Sequence, residues 1–309
     1  PVILWLLIFG LVGCSKPETK KLEPPINLST TVVEEELSSD FTLADTSTPG
    51  GKIYTDNCAS CHEQGLDRAP HRAMLLLMSP DSIYRALTQG VMQSQSAGLS
   101  DKDKLAVAEF LGGGEIGDLA TSPEPAQCKD QSNQFDYYEP PVFEGWGLNQ
   151  ASTHSIPEEI AGLNKKNIAS LKLKWVFGFP GALRTRSQPA LAGGAIYVGS
   201  HGGTVYAFDR ETGCARWTFD ASAEVRTGIV ISPWEAGDKT AAPMAYFGDL
   251  IGNLYALDAI TGELTWRARP DEHPTTTLTG TPSLYQNTLY VPVSSLEVLS
   301  LKFSSSVVS

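Results

Sequence analysis

Two cysteines and a histidine stand at a spacing that can hold a haem covalently. In Cys58-Ala59-Ser60-Cys61-His62 the thiols are separated by two residues and the imidazole follows directly. Each thiol can form a thioether to a haem vinyl group, and the adjacent imidazole then lies beneath the iron. A CxxC pair can also form a redox disulfide or half of a zinc site, but the sequence has no second Cys or His pair at similar spacing. The motif therefore predicts haem c, with Cys58 and Cys61 as attachment points and His62 as an axial ligand.

A sixth iron ligand is expected farther along the chain, on a loop between two helices. Met92 lies in such a position, and a His/Met pair raises the reduction potential relative to two histidines. His71 is the main rival, because a second imidazole would also bind the iron. Met74 and Met78 lie in the apolar stretch MLLLM and are expected to fill the core. We therefore take His62 and Met92 as the predicted axial pair.

Three short helices would position these ligands. Residues 51–57 predict one helix before the motif, and residues 81–89 predict a second that ends at Gly90. Residues 100–111 predict a third, which Ser100 would cap and Gly112 would follow. This layout resembles a small class I cytochrome c, which implies a helical haem domain at residues 49–114 and a linker at residues 115–144.

The C-terminal half of the chain contains an internal repeat. The segment Ile196–Trp217 aligns with Ala245–Trp266 at a constant offset of 49 residues, with nine of 22 positions identical. A third copy begins at Pro282, and a partial earlier copy spans residues 173–177. Short strands that recur every ~45 residues are typical of β-propeller blades.

The shared residues of the repeat have structural tasks. Asp-x-x-Thr-Gly predicts the tight turn between the two outer strands, and the closing Trp offers a flat surface to the neighbouring blade. Asp209 and Asp258 are therefore expected to shape turns rather than to catalyse. The pattern Ala-x-Asp-x-x-Thr-Gly-x-x-x-Trp, at 207–217 and 256–266, resembles the tryptophan-docking repeat of quinoprotein dehydrogenases. Those are eight-bladed propellers that bind pyrroloquinoline quinone (PQQ).

The order of the two parts narrows this resemblance. A haem domain before the propeller, with Arg186-Ser187-Gln188-Pro189-Ala190 and the segment EVRTG at 224–228, is most similar to the cytochrome-type polyvinyl-alcohol dehydrogenases. These belong to the quinohaemoprotein, PQQ-dependent alcohol dehydrogenases. The resemblance implies a class I cytochrome c domain followed by two to three blades of a PQQ-type eight-bladed propeller, at residues 145–309.

The resemblance also implies a reaction and its cofactors. In that family PQQ lies in the central funnel of the propeller with a calcium ion, and alcohols, secondary ones and polyvinyl alcohol among them, are oxidised. Electrons then pass to haem c and on to a cytochrome or oxidase of the respiratory chain. The candidate PQQ contacts are Arg186, Arg226, Thr227 and Thr281, which precede the innermost strands. Each of these could instead be a solvated turn residue, and no catalytic residue or calcium ligand is assigned.

The N-terminus resembles an export signal. Residues 2–13 form an apolar run of twelve, which is short for a membrane span and has the length of a signal-peptide core. The run ends in Leu11-Val12-Gly13-Cys14, which resembles a bacterial lipobox, so Cys14 is the expected lipidation site. We expect a signal peptide at 1–14, a flexible linker at 15–48, and a lipid-anchored periplasmic protein of a Gram-negative bacterium. The alternative is a buried helix with a chance cysteine.

Composition and length set further limits. The chain has 23 basic and 35 acidic side chains, a net charge of −12, which argues against a nucleic-acid partner. Eight blades would need ~360 residues, more than remain after the haem domain. The repeat pattern is also lost after Val298. We therefore expect a truncated propeller and an inactive fragment of a longer enzyme.

Two questions stay open at this level. Cys128 and Cys214 could pair in an oxidising compartment, or Cys214 could be a free buried thiol. The chain could also be a haem-bearing lipoprotein that acts as an electron carrier, or a binding scaffold with a non-catalytic propeller. The haem motif favours the enzyme over the scaffold, because a scaffold has no use for a redox group.

Overall fold

The computed structural model describes residues 45–64, 69–116, 124–129, 134–143, 145–149, 151–180, 182, 184–273 and 275–295. The predicted signal peptide (1–14) with Cys14, most of the first predicted linker (15–48) and the chain from residue 296 lie outside them. Within the described ranges, no helix has the length and apolar character that a membrane span requires.

The described N-terminal part is helical. Its helices are α1 (Pro49–Asn57), α2 (Ala59–His62), α3 (Arg72–Leu75), α4 (Pro80–Thr88) and α5 (Asp101–Gly112). Helices α1, α4 and α5 lie where the sequence predicts helices, and the Ser100 side chain caps α5 by accepting a hydrogen bond from the Asp103 backbone N–H at 3.2 Å. The expected stop at Gly112 is wrong by one residue. Gly112 is the last helical residue, and Gly113 (φ 71°) takes the left-handed conformation that ends the helix.

Close backbone contacts between these helices explain two glycines. A Cβ atom on Gly50 would lie 2.1 Å from the carbonyl oxygen of Ala106, and one on Gly112 would lie 2.5 Å from the backbone nitrogen of Pro80. Glycine therefore lets α1 and α4 approach α5 more closely than other residues would. The buried side chains between the helices are Tyr54, Met74, Met78, Ile83, Leu87, Val107, Ala108 and Leu111.

The described C-terminal part consists of antiparallel sheets. Its strands are β1 (Ala190–Ala192), β2 (Ala195–Gly199), β3 (Thr204–Asp209), β4 (Ala215–Asp220), β5 (Val230–Ile231), β6 (Met244–Gly248), β7 (Leu254–Asp258), β8 (Leu264–Ala268), β9 (Thr276–Thr277), β10 (Ser283–Tyr285), β11 (Thr288–Tyr290) and β12 (Ser294–Ser295). Strands β1–β4 and β5–β8 each form a four-stranded sheet in chain order, while β10 pairs with β11 and β9 with β12. A short helix α6 (Glu158–Ala161) and a 3₁₀ turn (Ile168–Ser170) precede the sheets. Each four-stranded sheet holds one copy of the repeat, which is the arrangement of propeller blades.

The aspartate of the repeat shapes the outer turn of each sheet, as expected. Asp209 Oδ1 accepts a hydrogen bond from the Thr212 backbone N–H at 2.9 Å. Asp258 Oδ1 accepts the equivalent bond from Thr261 at 2.8 Å. Both carboxylates are occupied by their own turns, so their role is structural.

The tryptophan of the repeat joins neighbouring sheets. Trp217, on β4, packs on Gly262 of the next sheet, where a Cβ atom would lie 2.6 Å from the ring. Its Nε1 also donates to the carbonyl oxygen of Ala259 at 3.1 Å. Trp175 packs in the same way on Gly213 of the first sheet. The predicted docking of each Trp on the following blade is therefore confirmed for these two.

The segment before the sheets is fastened to the first of them. Cys128 and Cys214 form a disulfide, so the pairing that the sequence left open is present. The Ala215 backbone N–H donates to the carbonyl oxygen of Ala126 at 2.8 Å, and Cys128 N–H donates to the carbonyl oxygen of Ala215 at 2.9 Å. These bonds occupy the outer edge of β4, which would otherwise present unpaired backbone groups.

Candidate haem site and propeller face

The junction of α1 and α2 presents the haem-binding motif. Cys58 follows the last residue of α1, and its backbone N–H donates to the carbonyl oxygen of Tyr54 at 2.8 Å. The carbonyl oxygen of Cys58 in turn accepts from the N–H groups of Cys61 and His62, both at 3.1 Å. One helical turn therefore separates the first thiol from the second, which places them on the same side of the chain.

The motif forms part of the wall of a cavity of about 350 Å³. The four predicted haem residues, Cys58, Cys61, His62 and Met92, all line it. The rest of the wall is mostly apolar and consists of Tyr54, Asn57, Ala69, Leu75, Met78, Ile83, Ala86, Leu87, Gln95, Ser96, Leu99, Val107 and Leu111. Two thiols, an imidazole and a thioether in an otherwise apolar pocket fit the demands of a covalently held haem.

The imidazole of His62 is oriented for a metal. Its Nδ1 lies 2.7 Å from the carbonyl oxygen of Pro70. Because a carbonyl only accepts, Nδ1 carries a proton, and in the neutral imidazole the lone pair is then on Nε2. A backbone partner of this kind fixes the tautomer and the ring orientation of metal-ligating histidines.

The Met92 loop is held by the helix before it. The Met92 backbone N–H donates to the carbonyl oxygen of Ala86 at 2.9 Å, and Ser96 N–H donates to the carbonyl oxygen of Met92 at 3.0 Å. The buried Ser96 hydroxyl donates to the carbonyl oxygen of Leu87 at 2.5 Å. The loop between α4 and α5 therefore has fixed anchors on either side of Met92.

The rival ligands are placed differently. His71 is not among the residues that line the cavity, and its Nδ1 accepts from the Ala73 N–H at 3.2 Å, which caps α3. Met74 is buried in the core, as expected. Met78 is also in the core, but it lines the cavity as well, which sequence reasoning missed. A four-residue spacing separates the two methionines, and only the packing of α3 decides which of them faces the cavity.

A buried arginine lies beside the cavity wall. The Arg72 guanidinium lies 5.5 Å from the ring centre of Tyr54 and 5.1 Å from that of Phe110, and its Nη1 is 3.6 Å from Glu63 Oε1. Burial raises the pKa of the Tyr54 hydroxyl, and the charge of Glu63 adds to this. Burial and the neighbouring Cys61 likewise raise the pKa of the Cys58 thiol. Tyr54 and Cys58 are therefore neutral at physiological pH.

A cluster of arginines marks the end of the sheets where β1 and β5 begin. Glu224 is 1% exposed, and its Oε2 accepts from Nε and Nη2 of Arg226, both at 2.9 Å. Arg184 also pairs with Glu224, while Arg186 is exposed. Burial lowers the pKa of Arg226 and the charge of Glu224 opposes this. Arg186 also lies near enough to affect the pKa of Arg226, and three guanidinium groups with one buried carboxylate carry a net charge of about +2, which suits a ligand with several carboxylates.

Each of the two candidate threonines accepts a hydrogen bond from a glycine backbone N–H. Thr227 is buried, and its Oγ1 accepts from the Gly248 N–H at 3.1 Å. Thr281 Oγ1 accepts from the Gly228 N–H at 2.8 Å. Thr227 is therefore not a solvated turn residue, and Arg186, Arg226, Thr227 and Thr281 all stay candidate PQQ contacts. Within the described ranges, no group of three or more His, Cys, Asp or Glu side chains could hold a metal ion.

Two family models match the chain. One, described as outer membrane protein assembly factor BamB, matches residues 159–308, and the other, described as cytochrome C oxidase, cbb3-type, subunit III, matches residues 45–111. A polyvinylalcohol dehydrogenase from Pseudomonas sp is 34% identical over 260 residues, covering 80% of this chain and 40% of that protein. Another, from Sphingopyxis sp. (strain 113P3), is 28% identical over 286 residues, covering 87% and 43%.

The solved structures that are similar include the quinohemoprotein alcohol dehydrogenase from Comamonas testosteroni. It has a TM-score of 0.40 at 23% identity and covers 51% of this chain and 24% of that one. The chain spans about two fifths of the length of the curated relatives it matches.

Proposed function

Because the chain belongs to the family of PQQ-dependent alcohol dehydrogenases that carry a cytochrome c domain, we propose that the whole protein oxidises alcohols with PQQ and passes the electrons to haem c. The proposed substrates are secondary alcohols, polyvinyl alcohol among them, since two curated relatives bear the name polyvinylalcohol dehydrogenase. The proposed acceptor of the haem electrons is a cytochrome or oxidase of the respiratory chain. The cavity on which Cys58, Cys61, His62 and Met92 converge is the observation that carries the proposal.

The helical domain would hold the haem through four side chains. Haem c supplies one-electron transfer when bound. Cys58 and Cys61 would attach it covalently, and His62, through Nε2, and Met92, through its thioether, would bind the iron. The carbonyl oxygen of Pro70 holds the His62 ring in place at 2.7 Å. The apolar wall excludes water, which favours the reduced state of the metal.

The propeller face would hold the quinone through its arginines. PQQ supplies the hydride acceptor when bound. Arg186 and Arg226 would bind its carboxylates, and Glu224 fixes the Arg226 guanidinium through two bonds at 2.9 Å. We propose that the whole protein has an eight-bladed propeller and a class I cytochrome c domain. Lipidation at Cys14 would anchor it in the periplasm, next to its electron acceptor.

Reconstitution tests this function. The full-length protein, loaded with haem, is mixed with PQQ and calcium, and a secondary alcohol is added while the haem absorbance is followed. We expect reduction of the haem that depends on both alcohol and PQQ. If a chemical reductant reduces the haem but alcohol never does, the proposed alcohol oxidation is contradicted. The function that remains is that of an electron carrier. Arg226→Ala should weaken the response at low PQQ concentration, with Arg267→Ala on the exposed strand β8 as the matched control.

A further inference from the structure

The helical domain and the sheets touch through α4. Ser82 Oγ donates to the carbonyl oxygen of Gly202 at 2.8 Å, and this contact is buried. Arg85 donates to the same carbonyl and, through Nη1, to Asp220 Oδ1 at 2.5 Å. Asp220 is largely exposed, so the ion pair with Arg85 contributes little. The helical domain and the sheets are therefore in contact at α4, but the exposed Arg85–Asp220 ion pair adds little to the stability of that contact.

A second contact lies at the residue before Met78. Arg184 Nη2 donates to the carbonyl oxygen of Leu77 at 3.0 Å and to Glu224 Oε2 at 3.0 Å, while its Nε donates to Glu224 Oε1 at 3.3 Å. One guanidinium therefore bridges the backbone of the helical domain and a carboxylate of the propeller face. Bonds of this kind to a charged group are stronger than neutral ones.

Glu224 connects this bridge to the arginine cluster. Its Oε2 accepts from both Arg184 and Arg226, and its side chain is 1% exposed. The backbone around it is fixed too, since Leu250 N–H donates to the carbonyl oxygen of Glu224 at 2.9 Å. Removing one partner of a buried carboxylate strongly destabilises the folded state. Glu224 therefore restrains both guanidinium groups.

An apolar seam continues the contact into the haem cavity. Ala223 and Leu250, from the loops beside Glu224, belong to the same buried cluster as Met78 and Leu87 of the helical domain. Met78 and Leu87 also line the cavity. The carbonyl group that Arg184 binds is thus one residue away from the cavity wall.

We propose that Arg184 is a positioning residue that fixes the helical domain on the arginine face of the propeller, with Glu224 as the buried group through which it acts. It keeps Met78, in the wall of the haem cavity, and the Arg226 guanidinium in one rigid arrangement. The value of this arrangement for electron transfer rests on the proposed function, whereas the docking itself does not.

The test compares Arg184→Ala with Arg267→Ala in the haem-loaded chain. We expect backbone amides on both sides of the contact, at 77–85 and 200–204, to exchange hydrogen about tenfold faster in Arg184→Ala. Tryptophan fluorescence should also rise, because the tryptophans of the propeller part move away from the haem that quenches them. Arg267→Ala should match the wild type in both measurements. Neither readout needs PQQ or alcohol, so failure of the enzymatic proposal would leave them unaffected.

Two further variants make the outcome decisive. Glu224→Gln should speed exchange at 77–85 in the same direction, and adding it to Arg184→Ala should change that segment little more, because both act on one contact. Arg184→Lys keeps a charge beside Glu224 but lacks the forked donors, so it tests the docking if Arg184→Ala does not fold. Faster exchange confined to 224–230, with residues 77–85 and the fluorescence unchanged, would overturn the proposal.

Discussion

Two thioethers, those of Met78 and Met92, line the haem cavity, and their surroundings differ. Met92 lies on a loop tied to α4 through Ala86, whereas Met78 is 5% exposed and packed among the apolar core. A methionine packed in the core would lose buried apolar contacts if its side chain turned to a metal. A methionine on a loop can reorient its flexible side chain with a smaller loss of contacts. We therefore expect the Met92 sulfur, and not that of Met78, to bind the iron.

Replacing each methionine separately tests the assignment. Met92→Ala should abolish the low-spin, methionine-ligated spectrum of the haem and lower its reduction potential. Met78→Ala should keep that spectrum and cost stability, about 2–5 kcal/mol, as truncation of buried methionines does. Absorbance, magnetic circular dichroism and a redox titration of the three proteins check this. Loss of the methionine signature in Met78→Ala alone would exchange the two roles.

The residues that would attach the haem could be found in the sequence because their chemistry depends on adjacency. Cys58, Cys61 and His62 follow one another closely, so their joint use could be predicted before any fold was known. Met78 and Arg184 could not be found in this way, because their roles depend on what packs against them. Arg184 differs from Arg186 by two positions in sequence, yet only Arg184 is placed against Leu77.

At the scale of elements, the Trp of the repeat joins one sheet to the next. Trp217 is 7% exposed and its Nε1 donates to the carbonyl oxygen of Ala259, whereas Trp266 at the same repeat position is 39% exposed. Trp217→Ala should lower the free energy of unfolding of the sheets by about 3–5 kcal/mol, and Trp266→Ala by clearly less. Denaturant unfolding followed by circular dichroism checks both. Equal losses would mean that the docking of Trp217 on the next sheet stabilises nothing beyond the blade itself.

Repeats made the sheets predictable, and long-range contacts limited the prediction. The offset of 49 residues places Asp209 with Asp258 and Trp217 with Trp266, and the structure keeps both equivalences. The Cys128–Cys214 disulfide spans 86 residues and could not be inferred from spacing, since its partners meet only when residues 126–128 lie along β4. The docking of α4 on the sheets could not be predicted from the sequence either, because neither surface has a local sequence pattern that indicates its partner.

For the whole molecule, two buried carboxylates whose pKa values shift in opposite directions affect how the stability of the fold varies with pH. Burial raises the pKa of Asp209, but the bonds from Arg216 and Thr212 hold it below its ordinary value. Its stabilising effect is therefore present above the pKa of the unfolded chain and is lost as the pH falls. Asp249 behaves in the opposite way. Burial raises its pKa from 3.8 to about 6, although four hydrogen bonds oppose this.

The sign of the Asp249 contribution leads to a pH-dependent prediction. Since its folded pKa exceeds the unfolded one, its contribution is complete below about pH 4 and is lost as the pH rises through about 6. The loss is on the order of 3 kcal/mol over that range. Ser200 occupies the same repeat position in the first sheet, where its Oγ accepts from the Thr204 N–H at 3.1 Å. Asp249→Ser therefore removes the titrating group while keeping a hydroxyl that the chain already uses there.

The comparison that isolates Asp249 is between two curves. The free energy of unfolding of the sheets is measured from pH 4 to pH 7 for the wild type and for Asp249→Ser. The serine variant loses the bonds from the Asn253 side chain and Tyr255, so it should be the less stable protein throughout. Its deficit should shrink as the pH rises, because only the wild type loses the Asp249 contribution. A deficit that stays constant or grows with pH would mean that the hydrogen bonds to the carboxylate outweigh its burial.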